Sequence, residues 1–239
     1  MEQFARTTLL VGEDAMARLN RSRVAVFGVG GVGGYAAEAL IRSGVGAMDL
    51  FDNDQVSVTN LNRQIIALHS TIGRDKTDVM AERLLDVNPE AKIIARKLFY
   101  LPETADQVDL SAYDYIVDAV DTLAAKLELA ERAQTLGVPI ISAMGAGNKL
   151  DPAFLRIADI YETSVDPLAR AMRSACRKRG IRRLTVAYST ETPLRPAGRA
   201  PDGPAPAAGR RDTPGSTAFM PSSMGLMIAG YVVRALMAR

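Results

Sequence analysis

An α/β fold, with a mostly parallel sheet covered by helices on both faces and a smaller C-terminal α+β extension, is the architecture this sequence predicts. Two observations predict it. Short β-branched runs alternate with helical segments through the first 145 residues, and the first of those runs feeds directly into a glycine-rich turn. Val24–Phe27 reads as a strand and Gly33–Ser43 as the helix after it, with a second strand at Ala47–Phe51. Lys76–Val87 places Met80, Leu84 and Val87 on one side of a helix, and Pro89, which has no N–H to donate, stops it before strand-like Ala91–Ala95. Tyr115–Val120 is a buried strand, Leu123–Leu136 a helix closed by Gly137, and Val138–Ser142 the next strand. Successive strands joined through helices pair in parallel, so both faces of the sheet are expected to be covered.

The rhythm changes after Gly145, which places a boundary between residues 1–145 and 146–239. The second part holds a strand at Phe154–Ile157, a helix at Asp166–Arg179 and a strand at Leu184–Tyr188. Pro193–Gly215 consists mainly of Pro, Ala, Gly and Arg; ordering it costs about 1 to 2 kcal/mol per residue in backbone entropy with little burial in return, so a mobile loop is expected. Pro221 suits the first turn of a final helix running to about Met237.

Composition removes several classes. One cysteine, Cys176, and one histidine, His69, cannot make a four-ligand zinc site or an intramolecular disulfide, so no zinc is expected. The N-terminal residues have neither a basic start nor an apolar core of a signal peptide, which with the lone thiol points to the cytoplasm. The longest apolar run, Met224–Val233, is half the roughly 20 residues a spanning helix needs, and reads as a buried helix. A net charge of +2 averages over segments of opposite character and decides nothing.

Gly28, Gly30, Gly31 and Gly33 lie between the first strand and its helix, where glycines let backbone N–H groups and a helix N-terminus approach phosphates. This is the Rossmann-like context, and Asp52, 24 positions after Gly28, is placed to accept hydrogen bonds from a ribose. A nicotinamide oxidoreductase remains open on these residues alone. Arg63 and Lys76 favour a triphosphate instead, because β and γ phosphates need cations that hydride transfer has no use for. Asp121, after the Tyr115–Val120 strand, could hold Mg²⁺ near the α-phosphate or simply cap the next helix; Arg63 and Lys76 could be ordinary surface charges.

The ordered set of the glycine loop, Asp52-x-Asp54, Asn60-Leu61-Asn62-Arg63-Gln64, Gly73-x-x-Lys76 and Asp118-x-x-Asp121 resembles the ThiF, MoeB and HesA group of ubiquitin-activating-like adenylyltransferases. That resemblance implies ATP as cosubstrate, with Asp52 on the ribose, Asn60, Arg63 and Lys76 on the phosphates, Asp54 also among the ATP-binding residues and Mg²⁺ on Asp121; Arg63, Lys76 and Asp121 are then the catalytic set. Arg6, within Phe4–Gly12, resembles an arginine that members of the group insert into the partner subunit's site, so a homodimer is implied.

Cys176 falls beside Leu168, Met172 and Ala175 on the apolar side of its helix, so an inert packed thiol is expected rather than a nucleophile. Arg170, Arg173, Arg177, Lys178, Arg179, Arg182 and Arg183 form a basic patch that reads either as a solvated face or as a surface for a nucleic-acid backbone, with Arg195, Arg199, Arg210 and Arg211 as a flexible addition. The stretches Ser142–Pro152, Ala158–Ile160, Asp166–Ala169 and Tyr188–Glu191 are similar to the tRNA threonylcarbamoyladenosine dehydratase branch of the same group. This second resemblance implies tRNA as substrate, with the basic patch as its surface, and partner proteins that mobilise sulfur. It also allows a membrane contact through the C-terminal helix. The alternative is an adenylyltransferase that activates the C-terminus of a ubiquitin-like or sulfur-carrier protein.

Overall fold

The computed structural model describes residues 2–198 and 214–239. Seven strands, β1 (Arg23–Phe27), β2 (Ala47–Asp52), β3 (Lys92–Lys97), β4 (Tyr115–Asp118), β5 (Ile140–Ala143), β6 (Leu155–Asp159) and β7 (Thr185–Ser189), form one sheet in the order β3-β2-β1-β4-β5-β7-β6. Every pairing is parallel except that of β6 with β7. The extension expected after Gly145 is therefore built onto the same sheet, at the β5 edge.

The helices are α1 (Ala5–Val11), α2 (Glu13–Arg21), α3 (Gly33–Arg42), α4 (Lys76–Val87), α5 (Leu123–Leu136), α6 (Pro167–Lys178) and α7 (Phe219–Met237). Side chains of β1 alternate between the two faces, as the pleat requires. Val24 and Val26 join a core with Leu40, Ile41 and the α7 residues Met224 and Ile228, while Ala25 and Phe27 join a second core with Phe51, Tyr113 and Leu129 of α5. A third cluster, with Met172 and Cys176, packs α6 beside β7.

Several strand limits differ from expectation by one or two residues, and two of them have clear local reasons. Tyr115–Val120 ends at Asp118, whose Oδ1 turns back to accept the Val120 N–H at 3.2 Å and takes the chain out of the strand. Val138–Ser142 begins only at Ile140, because the Val138 N–H still caps α5 by donating to Ala133 O, with Gly137 left-handed at φ 70°. Helices α1 and α2 stand outside the expected elements, although Ala15, Met16 and Leu19 carry a helical spacing that buries one side of α2.

The last helix is 19 residues, nearly twice the apolar run that marked it. It is long and apolar enough to cross a membrane by length and composition, and 44% of its 18-residue apolar stretch is buried inside the fold. Met220, Met224, Ile228, Val232 and Leu236 face the core at helical spacing, and α7 lies so close to α3 that a Cβ on Gly225 would stand 2.3 Å from Val32 O. Part of the loop expected at 193–215, with Arg199, Arg210 and Arg211, lies outside the described residues; Arg195 lies within them and is exposed.

Candidate active site

The C-terminal ends of β1, β2 and β4 open onto a cavity of about 560 Å³. Gly28, Gly30 and Gly31 form its floor. Gly28 sits at φ 86°, with no room for a Cβ against Ala119 O, and a Cβ on Gly33 would strike Gly28 O, so this turn closes only with glycine. Asp52 holds the turn to the end of β2: its Oδ2 accepts the Val29 N–H at 2.7 Å and its Oδ1 the Asp54 N–H at 2.9 Å. Each carboxylate oxygen keeps a second lone pair, so the group can still accept a ribose hydroxyl.

The β2–α4 connection brings the expected cations to the same cavity. Lys76, the first residue of α4, is 5% exposed and its Nζ donates to Asp54 Oδ2 at 2.7 Å, so it is no surface charge. Arg63 is half-buried in the wall, where its guanidinium donates to Thr59 O (2.8 Å) and Asn62 Oδ1 (3.0 Å). Buried Asn60 accepts the Ser57 N–H through Oδ1 and so shapes this loop as well as lining the cavity. Asp121 also lines the cavity. The capping alternative for it fails, because Thr122 occupies the position before α5 and the Asp121 carboxylate accepts a hydrogen bond only from Thr122 Oγ1, at 3.3 Å, among the described residues. Arg6 lies exposed on α1 and does not line the cavity of its own chain.

Several site residues had no assigned role in the sequence. Phe27, Phe51, Leu98, Phe99 and Tyr100 give one end of the cavity an apolar wall suited to a base. Tyr100 is pushed up to about 12 by burial, and its hydroxyl has no partner among the described residues. Gln64 lines the cavity at 7% exposure with Oε1 unpartnered among those residues. Behind the Asp121 loop, Lys126 and Asp118 form an ion pair with no exposure at all: Lys126 Nζ lies 3.2 Å from both Asp118 oxygens and donates to Ala143 O at 2.7 Å, while Ser142 Oγ donates to Asp118. A charged residue at the end of a buried strand, eight positions before a lysine on the packed side of the next helix, was the available signal.

The basic patch is only partly presented to solvent. Arg173 donates to Thr163 O (2.8 Å) and holds the loop before α6, and Arg179 pairs with Glu128 (3.3 Å) and Glu131 (2.9 Å) on α5. Arg177 lies over the Tyr161 ring at 5.5 Å. Arg170, Lys178, Arg182 and Arg183 are exposed, with no ion pair among the described residues. Cys176 is buried on the opposite side of α6, and burial pushes its thiol up to about 11, which suits a packed group and not a nucleophile.

A glycine turn held to the aspartate that ends β2, with cations and a carboxylate around one cavity, is the equipment of a nucleotide-dependent enzyme, and the match to the ThiF family extends over residues 4–239: the chain belongs to that family. Within it the chain groups with the tRNA threonylcarbamoyladenosine dehydratases. It is 45% identical to one from Bacillus subtilis (strain 168), over 99% of this chain and 95% of that protein. The Escherichia coli tRNA N6-threonylcarbamoyladenosine dehydratase solved in complex with ATP superposes with a TM-score of 0.88 at 31% identity, covering 99% of this chain and 94% of that one. Its complex with AMP gives 0.89, covering 99% and 95%.

Proposed function

We propose that the protein is an ATP-dependent tRNA threonylcarbamoyladenosine dehydratase. The observation that carries the reading is the convergence of Arg63, Lys76 and Asp121 on the glycine turn within one cavity, in a chain similar throughout to enzymes of that name. The threonylcarbamoyl carboxylate attacks the α-phosphate and pyrophosphate leaves. A nitrogen of the same modification then attacks the activated carbonyl, releasing AMP and a proton and closing the ring. Arg63 and Lys76 offset charge developing on the phosphate oxygens. No protein nucleophile enters this sequence, and the buried Cys176 thiol is not needed.

Mg²⁺ fits the site. It binds through one or two carboxylates with substrate phosphates and water, and Asp121 presents a carboxylate with one weak neighbour. The ion would polarise the phosphate oxygens when bound. A homodimer belongs to the same reading: Arg6 projects from α1 outside its own cavity, beside Leu9 and Leu10 at 88% and 85% exposure. The exposed cations of the α6 patch serve as the tRNA surface; α6 starts beside Gly145, next in the chain to Ala146 of the cavity lining, and is roughly 18 Å long at about 1.5 Å per residue. A cytoplasmic setting and sulfur-mobilising partners complete the proposal.

The test mixes protein, MgATP and tRNA bearing threonylcarbamoyladenosine. Pyrophosphate release together with loss of one water from the modified nucleoside is the expected result. Release only with a small carrier protein would replace the substrate, making the chain an activator of protein tails.

A further inference from the structure

One wall of the cavity is made of two stretches of chain 67 residues apart, Ala146–Gly147 after β5 and Pro214–Ser216 before α7. Asn148 joins them. Its N–H donates to Gly215 O at 2.8 Å and its Oδ1 accepts the Gly215 N–H at 2.7 Å, while its carbonyl accepts the Leu194 N–H at 2.7 Å. The residue sits at φ 59°, a left-handed conformation that asparagine tolerates far better than a branched or bulky side chain. Beside it, a Cβ on Gly147 would stand 2.8 Å from Pro214 Cβ, so the two stretches meet with no space for a methyl group. From there the chain crosses to the phosphate side, where Ser216 O accepts from Asn62 Nδ2 at 3.1 Å and Pro221 packs on Gly31.

Strand order says which end of the cavity this wall closes. The ribose aspartate ends β2 and the aromatic wall lies toward β3, whereas Asp121 follows β4 and Gly147 follows β5, on the other side of the glycine turn. Adenosine therefore occupies the β2–β3 end. The carboxylate that attacks the α-phosphate has to come in where adenosine is not, at the β4–β5 end. We propose that Asn148 is a positioning residue for the acyl-bearing substrate: by locking Gly147 to Gly215 it sets the wall against which the threonylcarbamoyl group lines up with the α-phosphate. This inference rests on the functional reading above.

Three variants test it in the full-length protein. Asn148→Gly keeps the left-handed backbone and removes only the side-chain hydrogen bond, Asn148→Asp keeps an acceptor at the same place, and Gly147→Ala forces the two stretches apart from the other side. For Asn148→Gly and Gly147→Ala the expected result is a fall in kcat/KM for modified tRNA on the order of 10- to 100-fold, the range a displacement of about 1 Å produces. ATP affinity, measured by calorimetry with a non-hydrolysable analogue, stays at the wild-type value, and Asn148→Asp recovers most of the rate. Wild-type kcat/KM in both impaired variants overturns the proposal. So does a parallel loss of ATP affinity, which marks a general structural role, or an Asn148→Asp protein no better than Asn148→Gly. The wild-type control separates this from the functional reading: if it forms no cyclic product, that reading has failed before any variant is compared.

Discussion

Replacing Lys76 by methionine separates its chemical role from its structural one. The side chain is 7% exposed and Nζ lies 2.7 Å from Asp54 Oδ2, but the Asp54 side chain is 61% exposed. Methionine keeps most of the buried stem and removes the charge, and the carboxylate left behind faces water. The folding cost is then that of a screened pair, about 0 to 1 kcal/mol. Alanine would confuse the result, since each buried methylene removed adds about 0.8 kcal/mol. In the chemical step the variant lacks a preorganised cation where charge builds on the departing phosphates, which costs about 2.7 to 4 kcal/mol, or roughly 10² to 10³ in rate. Urea denaturation gives the first quantity, and single-turnover formation of AMP on modified tRNA gives the second. A rate within about threefold of wild type, where the loss expected for such a cation is at least ~100-fold, would refute the role given to Lys76.

Lys126→Met leaves the wholly buried Asp118 carboxylate without its cation, and chemical denaturation should show a loss of about 3 to 5 kcal/mol; a loss below about 1 kcal/mol would mean the pair is dispensable. The Cys176 thiol is raised from near 9 to about 11, so the folded state holds its proton longer than the unfolded chain, and this contribution to stability is complete below about pH 9 and lost as pH climbs to about 11. Cys176→Ala should flatten the stability profile across that window, and an unchanged slope would contradict the assignment. Neutralising Arg182 and Arg183 should weaken tRNA binding and lower its salt slope by about 1 for each phosphate the variant no longer neutralises, without changing the melting temperature. Arg173→Ala should instead lower the melting temperature, because its guanidinium holds the Thr163 loop; equal melting temperatures for the two would remove the distinction.

Much of this protein is legible from local chemistry. Helices α4 and α5 begin and end where spacing, Pro89 and Gly137 put them, and the glycine turn, Asp52 and Asp121 reach one cavity because the C-terminal ends of neighbouring parallel strands share one edge. Hydrophobic period and backbone stereochemistry act within a few residues, so a single chain displays them directly. Tyr100 is not legible in this way, because nothing near it in the chain distinguishes a cavity wall from ordinary core.

Long-range pairing is of another kind. No local pattern says that Glu128 and Glu131 would take up Arg179, or that Thr163 would claim Arg173. The same holds for Asn148, whose partner stands 67 residues away. Seven basic residues look equivalent in a string of letters. Their electrostatic worth differs once packing brings acids and carbonyls to some of them and water to the others, because a charge is felt at a distance only when nothing nearby has already answered it.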